Sequence, residues 1–578
     1  MIRPIALLCL PVLLYGQPTD TTSYPLSTTA EPLTVTASRI PHGELATIRL
    51  SQLDIYRNAT AKADPLLAVN TLPAATNPDE TANVSLRGSP AEATGIYLNG
   101  VPLRSAVRID QSNGVGQFSL FRQLPLRQLR VYPSNPPLQF SQASAGAVAI
   151  ETDYARPGGT ARSLSLNLVG VGYSHVQAVG ETGALRGYVN ASDLTAFRAV
   201  NGRKLTDLRA SRSVDAMLSY AVKDKQQRTL QLFYLGFLES YRYDYRGADT
   251  AGQFGQRKPR HLGIVNYDWQ GSGWTWRASQ LLDWEKPTFA FDGQTLVVER
   301  FTSHTGIHAE RRTPGLTLQW GGATNHYFDP GGHTHTTEAY AYVQHRTGPW
   351  LLGGGLKPVY ADGAALNVQL AGRLELGRSR IHLTAGSHTQ LLAPGPNFLG
   401  WQRLRIRQLA VDYLRRWSDW ELEAAAYTKR ERYGNRQTVA VAGAETQLTY
   451  RSGNWLVGLG LVTVRSRAET VPTRRDIPLS GRGRLQWNAA GWSAGLHYRA
   501  RSGKVEESLM PGTVPDRYPD YQRLDASITK TLITKLGGVI LYANANNLLD
   551  TRNVSYYSYR GEEYYSRRVV FFGAILSW

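Results

Sequence analysis

The sequence predicts an all-β transmembrane barrel of about 22 antiparallel strands, with a small N-terminal α+β domain inside its lumen. From residue 164 onward, segments of roughly 8 to 12 residues alternate apolar and polar side chains, as strands with two different faces do. Past residue 20, no apolar run is long enough to cross a bilayer as a helix. Aromatic residues make up 10% of the chain, with 13 Trp and 31 Tyr, which suits the two interfacial girdles of a barrel. On composition alone, a secreted all-β protein fits equally well.

The connections between these segments alternate in length, which separates a barrel from a string of β-sandwich domains. Short connections at one end and long ones at the other are typical of a transmembrane barrel. Nothing in a β-sandwich requires its long loops to lie at one end. The predicted short connections are 223–227, 271–273, 313–315, 347–349, 377–379, 418–419, 452–454 and 489–491. The predicted long connections are 197–212, 239–260, 388–407, 465–481 and 501–520.

The chain is basic, with a formal net charge of +19. Such a balance suggests nucleic acid, but the surplus Arg residues are scattered through turns and loops rather than gathered in a stripe, so no nucleic-acid partner is expected. In an exported barrel, Arg pairs with lipopolysaccharide phosphates of the outer membrane or attracts an anionic ligand. The one cysteine, Cys9, lies in the predicted signal peptide, which leaves the mature chain without disulfides or thiolate metal sites.

The N-terminal region divides into segments of different composition. Residues 1–16 predict a signal peptide, with Arg3 before an apolar stretch and the small Gly16 at its end. Residues 17–44 are rich in Thr, Ser and Pro and predict a disordered leader. The α+β domain is expected at 45–155 and the barrel at 156–578.

The α+β domain shows recognisable strand, helix and turn signals. Asp64 is a candidate N-cap, Pro65 suits the first helical position, and Asn99-Gly100 after an apolar run signals a turn. These signals predict a helix at 63–72 and strands at 48–53, 84–86, 96–98, 129–131 and 147–152.

The segment 568–578 predicts a closing strand whose apolar face ends in an aromatic residue. That pattern resembles the signal read by the barrel assembly machinery. The residues of this face are Val570, Phe572, Ala574, Leu576 and Trp578.

Several segments, taken in order, resemble TonB-dependent outer-membrane receptors. Asn-Val-Ser-Leu-Arg-Gly at 83–88, Ile-Tyr-Leu-Asn-Gly-Val-Pro-Leu at 96–103 and the segment 129–150 are similar to the plug domain of that family. Tyr-Gln-Arg-Leu-Asp at 521–525 and Leu-Tyr-Ala-Asn-Ala-Asn-Asn-Leu-Leu-Asp at 541–550 are similar to its late-barrel pattern. The resemblance covers residues 31–578 and implies a plug inside a 22-stranded barrel in the outer membrane of a Gram-negative bacterium.

The resemblance also implies specific partners and contacts. A β-branched run resembles the TonB box, which pairs with periplasmic TonB, driven by ExbB and ExbD, through strand addition. In the plug, Arg87 followed by Gly88 matches the family's Arg-Gly motif, and Glu445 in Gly443-Ala-Glu445 matches its acidic partner on the wall. The plug departs from the family pattern at Arg130 and Pro133-Ser134, where an acidic residue and a basic-Gly pair are usual. The box candidates are Leu33, Thr34, Val35, Thr36 and Ala37.

The family resemblance implies active import of a scarce ligand, by default a ferric siderophore or other metal chelate. A corrinoid of the cobalamin kind is the alternative, and a passive porin or a barrel enzyme is the rival class. Because the sequence has no Gly-x-Ser-x-Gly or comparable constellation, we do not expect an enzyme. We also expect a monomer with no resident cofactor. Candidate ligand contacts, which are equally readable as rim charges, are Asn77, Asp79, Arg104, Arg108 and Asp110.

Three histidines, His326, His333 and His335, fall in what the sequence predicts to be one outer loop. Three imidazoles within ten residues are able to converge on a transition metal, but no carboxylate or cysteine spacing supports them. We therefore assign no metal site to the chain. Loop carboxylates at Asp244, Asp249 and Asp292 are weak candidates for calcium.

Overall fold

In the computed structural model, a closed barrel surrounds a small domain that contains a five-stranded sheet. The predicted signal peptide and leader, including the TonB-box candidates at 33–37, lie outside the described residues. The structure describes residues 48–110, 116–122, 124–202, 208–246, 251–291, 293–393, 400–434, 437–506, 517–535, 537–558, 561–565 and 567–578.

The inner domain, called the plug below, is built on a sheet with strand order β1-β6-β7-β2-β3. Strands β2 and β7 pair in parallel, and the other neighbours are antiparallel. Strands β4 and β5 form a separate hairpin. The plug strands are β1 Ile48–Leu50, β2 Thr94–Leu98, β3 Val101–Leu103, β4 Val107–Asp110, β5 Gly116–Ser119, β6 Leu126–Tyr132 and β7 Gly146–Thr152. The plug helices are α1 Gln52–Tyr56 and α2 Pro65–Val69, with 3-10 turns at Ala59–Ala61 and Ala91–Ala93.

Local sequence signals explain much of the plug. The Asp64 carboxylate accepts hydrogen bonds from the backbone N–H groups of Leu66 and Leu67, so α2 starts where the N-cap predicts. Asn99 and Gly100 both take positive φ, 53° and 90°, and close the β2–β3 hairpin. The strands predicted at 96–98, 129–131 and 147–152 are found within β2, β6 and β7.

Two predicted plug strands are wrong in part or whole. The strand at 48–53 ends at Leu50, because Ser51 and Asp54 exchange hydrogen bonds as a capping box and start α1. The segment 84–86 makes only an isolated bridge, Ala75 to Leu86. The next residue, Arg87, takes a φ of 48°, which turns the chain away from extended geometry.

The barrel is closed by antiparallel pairing of its last strand, β34, with its first, β8. Twenty-two strands form the wall, while β15, β16 and β27 are short additions and β32–β33 is a separate hairpin. The strands of the first half are β8 Ala161–Asn167, β9 Gly170–Val179, β10 Gly183–Asp193, β11 Leu208–Lys223, β12 Thr229–Arg246, β13 Ala251–Gly271, β14 Trp274–Glu285, β15 Thr288–Phe291, β16 Gln294–Val297, β17 Arg300–Thr313, β18 Leu316–Asp329, β19 Gly332–Thr347 and β20 Trp350–Tyr360. Those of the second half are β21 Ala364–Leu376, β22 Ser379–Leu392, β23 Gln402–Trp417, β24 Trp420–Tyr433, β25 Gln437–Ser452, β26 Trp455–Ala468, β27 Val471–Pro472, β28 Ile477–Ala489, β29 Trp492–Arg501, β30 Tyr521–Thr534, β31 Gly537–Asn546, β32 Val554–Ser558, β33 Gly561–Tyr564 and β34 Val569–Ser577. Helix α3, Thr195–Asn201, lies between β10 and β11. The plug sheet ends at Thr152, so the predicted boundary at 155/156 falls between the sheet and β8.

The two ends of the barrel differ, as the connection lengths predict. All eight short connections close hairpins at one end, here called the turn end, and the opposite end is the loop end. The long connection predicted at 239–260 is wrong, because β12 and β13 stay paired up to Arg246 and Ala251. A cluster of packed aromatic side chains, among them Tyr241, Phe254 and Phe289, and the pairing of β15 with β13 accompany this extension of the hairpin.

The outward face of the barrel is apolar, with Leu352, Leu370 and Leu459 about half exposed. Eleven of the 13 Trp residues lie within four residues of a strand's turn end, which is the position of an interfacial girdle. Among the described residues, no helix is long and apolar enough to cross a bilayer. Inside, apolar side chains of β10–β14 such as Phe233 and Leu262 join the plug core.

Candidate functional site

The plug and the wall are joined by an ion-pair cluster of Arg87, Asp412 and Glu445, here called the Arg87 lock. Arg87 and Gly88 both take positive φ, 48° and 74°, and this turn projects the guanidinium away from the plug sheet. Arg87 Nη2 donates to Glu445 Oε1 at 2.8 Å and also to Asp412 Oδ1. Its Nη1 donates to Ser134 Oγ at 3.1 Å, and Ser134 is one of the positions at which the sequence departs from the plug pattern it resembles.

The Arg87 side chain is only 3% exposed. Burial alone lowers the pKa of an arginine, but the two carboxylates outweigh it and hold the pKa of Arg87 above its ordinary value. A desolvated guanidinium with two carboxylates is costly to separate unless water replaces the lost partners. The lock therefore fixes the position of the plug against β23 and β25.

Two wall cations reach inward next to this lock. Lys429 Nζ donates to Leu86 O at 3.1 Å and Ser89 Oγ at 3.0 Å, and Arg475 Nη1 donates to Gly88 O at 2.7 Å. Neither residue is among the site residues predicted from the sequence. Lys429 occupies an inward position of β24, between two outward residues, and a charged side chain at such a position is the signal that could have identified it.

Gly88 gives a testable prediction, because its backbone lies against the wall. A Cβ atom there would lie 2.6 Å from Val441 Cγ1 and 2.7 Å from Val464 Cγ1, and φ is already positive. We expect Gly88→Ala to destabilise plug docking by about 1–3 kcal/mol, since both contacts are too close and L side chains avoid this φ. Faster hydrogen exchange in peptides around residue 88 checks this. Gly158→Ala, with open space around its Cβ, is the matched control.

At the loop end, the plug apex is tied to three connections of the barrel. Asp79 accepts from Arg474 at 2.9 Å with both oxygens, from Lys504 at 2.6 Å, and from the Tyr565 hydroxyl. Neighbouring Glu80 accepts from the Tyr521 hydroxyl at 2.7 Å and pairs with Arg523. The buried Asn77 offers its carbonyl to Arg499 at 3.1 Å. This apex cluster ties the plug segment 77–80 to the barrel between β26 and β34 at the loop end.

The other predicted ligand contacts are also placed against the wall. Arg104 pairs with Asp329 at 2.8 Å and stacks on Trp401 at 5.0 Å. Arg108 pairs with Asp215 at 3.1 Å and Glu239 at 3.2 Å, over the Phe237 ring. In this state both guanidinium groups hold the plug, and contact with a ligand stays a prediction.

The remaining ligand candidate, Asp110, ends β4, and its side chain lies outside the description. Of the calcium candidates, Asp249 and Asp292 lie outside the described residues, and Asp244 pairs with Arg209.

The histidines are not in an outer loop, which corrects that prediction. His326 lies in β18 and His333 and His335 in β19, because the β18–β19 ladder runs on to Asp329 and Gly332. They share one face with Phe328, with His326 Nδ1 3.3 Å from His333 Nε2. Within the described chain, no group of three or more His, Cys, Asp or Glu residues is placed to hold a metal ion.

The apex cluster has a predictable pH response. Burial alone would raise the pKa of Asp79, but Arg474 and Lys504 outweigh it and hold this pKa well below its usual range. The stabilisation is thus present above the unfolded pKa of about 3.9 and is lost as pH falls through the lower folded pKa. We expect the free energy of apex opening, measured by hydrogen exchange, to be constant from pH 5 to 7, and Asp79→Asn to lower it by about 2 kcal/mol at pH 7. A wild-type free energy of opening that changes strongly between pH 7 and 5 contradicts this.

A cavity of about 580 Å³ separates the plug from one side of the wall. It reaches from the turn-end connection after β11 to β21, along the plug segment 137–141. Polar and aromatic side chains line it, including Tyr132, Arg277, His304 and Tyr340. The plug is therefore less tightly fitted on this side than at the Arg87 lock.

The comparisons with known proteins identify the fold. No protein-family model and no curated protein matches the sequence. Among solved structures, a mutant of the ferric enterobactin receptor PfeA from Pseudomonas aeruginosa is similar, with a TM-score of 0.71 at 13% identity over 92% of this chain and 98% of that one. The copper transporter OprC gives 0.72 at 15% identity, covering 92% and 99%. The FrpB iron transporter from Neisseria meningitidis gives 0.68 at 11% identity, covering 90% and 98%.

This chain thus has the fold of TonB-dependent outer-membrane receptors, a plug inside a closed 22-stranded barrel, and the predicted fold class is confirmed.

Proposed function

We propose that this protein is an active importer of the bacterial outer membrane, which takes up a scarce metal chelate, foremost a ferric siderophore, with energy from TonB. The observation that carries the proposal is a lumen occupied by a plug that is ion-paired to the wall at the Arg87 lock and at the apex cluster. A passive porin needs an open lumen, which is the main argument against that rival. The similar structures include receptors or transporters for ferric enterobactin, iron and copper, which supports a metal or metal chelate as cargo.

The orientation follows from the connection lengths. In outer-membrane barrels the short turns face the periplasm and the longer loops face the exterior. The apex cluster then faces the exterior, where the plug segment 77–80 meets loop residues Arg474, Lys504 and Tyr565. We place the ligand above this cluster, where a chelate with anionic oxygen donors competes with Asp79 for the two cations.

Ligand binding at the apex loosens the plug there, and this change reaches the segment 33–37, which then pairs with TonB as an added strand. Pulling by TonB with ExbB and ExbD separates the Arg87 lock, where water replaces Arg87 as partner of the carboxylates. On the side of the cavity beside the plug segment 137–141, the plug is less tightly fitted to the wall, so fewer contacts have to be broken there. The chemistry is binding and release, without a covalent step, and the protein acts as a monomer without a resident cofactor.

Uptake by a strain that carries this protein as its one candidate receptor tests the proposal. Cells under iron limitation are supplied with radioactive iron as ferric catecholate, hydroxamate or citrate chelates, and in separate arms with labelled cobalamin or copper. We expect saturable uptake of one ferric chelate that stops when a protonophore collapses the inner-membrane proton gradient. Uptake of cobalamin alone selects the corrinoid alternative, and uptake that ignores the protonophore and never saturates identifies a porin.

A further inference from the structure

Seven arginines lie on the outward face of three strands near the loop end. Inward positions between them, such as Leu404 and Ile406, are buried, which fixes the direction of the alternation. In the ladder, Arg407 lies opposite Arg430, which lies opposite Ala440, which lies opposite Arg467, so these form one row across four strands. The set, here called the arginine patch, is Arg403, Arg405 and Arg407 of β23, Arg430 and Arg432 of β24, and Arg465 and Arg467 of β26.

The positive charge of the arginine patch is not balanced within the described chain. None of the seven forms an ion pair with a described residue, and Arg405 Nε donates only to the Ser387 hydroxyl at 3.1 Å. The nearby carboxylates lie on the inward side of the wall and already have partners there. Asp412 and Glu445 pair with Arg87, and Glu431 pairs with Arg475. Among the described residues that line the wall beside Arg407, Arg430 and Arg467, Glu469 at the rim is the one acid. Like charges directly opposite each other, such as Arg407 and Arg430, destabilise a sheet unless an anion lies between them.

The height of the patch places it at the outer lipid headgroups. Ten residues separate Trp417 from Arg407, Trp420 from Arg430, and Trp455 from Arg465, each pair on one strand face. Ten residues of strand span roughly 33 Å, or about 25 Å along the membrane normal at the usual tilt of such barrels. This equals the height of the apolar band between the two interfaces. With the Trp girdle at the periplasmic interface, the arginines therefore reach the headgroup level of the outer leaflet.

The wall carries a shallow, open depression beside the patch. The depression lies across β21–β26. Its apolar lining includes Leu370 and Leu409, while Arg407, Arg430 and Arg467 line it together with Glu469. Hydrocarbon next to a guanidinium cluster matches a molecule that carries both acyl chains and phosphate. Guanidinium groups bind phosphate oxygens in bidentate fashion, which favours Arg over Lys at such a site.

We propose that the arginine patch is a specific binding site for the phosphorylated glycolipid of the outer leaflet, with the phosphates on Arg407, Arg430 and Arg467 and an acyl chain against Leu370 and Leu409. The site lies outside the lumen, so it is separate from the import path and independent of the proposed cargo. Its occupancy neutralises the row of like charges and anchors β23–β26 in the leaflet.

Binding of purified full-length protein in a neutral detergent to bisphosphorylated lipid A tests the proposal. Dephosphorylated lipid A and inorganic phosphate are the parallel probes. We expect saturable binding of lipid A that weakens as salt rises, with at least tenfold weaker binding of either probe. The triple variant Arg407→Gln, Arg430→Gln, Arg467→Gln should lose at least tenfold in affinity. The matched control, Lys225→Gln, Arg311→Gln, Arg378→Gln, removes equal charge from exposed turn-end positions and should bind like the wild type.

A second variant protects the test against misfolding of the triple. Ala440→Glu places a carboxylate in the row, opposite both Arg430 and Arg467, and leaves every arginine in place. We expect it to weaken lipid A binding at least tenfold while the barrel keeps or gains thermal stability. Unchanged lipid A binding in both variants overturns the proposal, as does equal affinity for dephosphorylated lipid A. Import of the cargo is measured separately, so failure here leaves the proposed function standing.

Discussion

Removal of residues 48–155 is expected to convert the closed barrel into an open pore that needs no energy. These residues hold the whole described plug, and without them the inward carboxylates and cations of the wall face water instead of plug partners. A 22-stranded wall needs a plug to close its lumen, so its removal leaves a wide aqueous channel. The expected result is a large, steady conductance in planar bilayers, against almost none for the intact chain, and entry of hydrophilic antibiotics that exceed the porin limit.

The barrel must still be folded for this result to count. Faster migration of the unheated deletion variant in gels, and its outer-membrane location, provide that control. A folded deletion variant that conducts no better than the intact chain contradicts the view that the plug closes the lumen.

The second large effect is expected at the Arg87 lock. Arg87→Met leaves Asp412 and Glu445 facing the plug without their cation, and breaking a buried pair in this way costs about 3–5 kcal/mol. Opening of the plug is a local equilibrium, so amide exchange in the peptide around residue 87 should speed up by a factor of about 100 or more. Hydrogen-exchange mass spectrometry on the purified protein measures this.

Two further variants make the test specific. Arg127 is an exposed plug arginine, so Arg127→Met should leave exchange unchanged. Adding Asp412→Asn and Glu445→Gln to Arg87→Met removes the unpaired charges and should restore most of the protection. If the triple variant exchanges as fast as Arg87→Met alone, the effect does not come from uncompensated charge.

Local patterns predicted the strands and turns of the fold, and the family resemblance placed the α+β domain as a plug inside the barrel. Alternation placed the barrel strands, Asp64 and Asn99-Gly100 marked a helix start and a hairpin turn, and all of these depend on neighbours in sequence. The long loop predicted at 239–260 was wrong because β12 and β13 stay paired up to Arg246 and Ala251, where aromatic side chains of the two strands pack together. The outer loop predicted around the three histidines was wrong in the same way, because β18 and β19 stay paired through a stretch whose sequence resembles a loop.

The site was less predictable because its contacts join distant parts of the chain. Arg104 meets Asp329 and Arg108 meets Glu239, pairings set by how the plug sits in the barrel. Glu445 was reached through the family resemblance, whereas Asp412, the second carboxylate on Arg87, has no local signal beyond its inward position on β23. The arginine patch emerges only when the register aligns Arg407, Arg430 and Arg467 in one row.

The central claim is that transport is driven through the segment 33–37, and Val35→Pro tests it most directly. Proline removes a backbone donor and should break strand addition to TonB without touching the described plug or barrel. Uptake of the identified chelate and its binding to whole cells are measured side by side, with Val35→Thr as a variant that keeps the donor. The account predicts that Val35→Pro binds the chelate normally, is present at the surface in normal amount, and imports none. Import by Val35→Pro at the wild-type rate would contradict it.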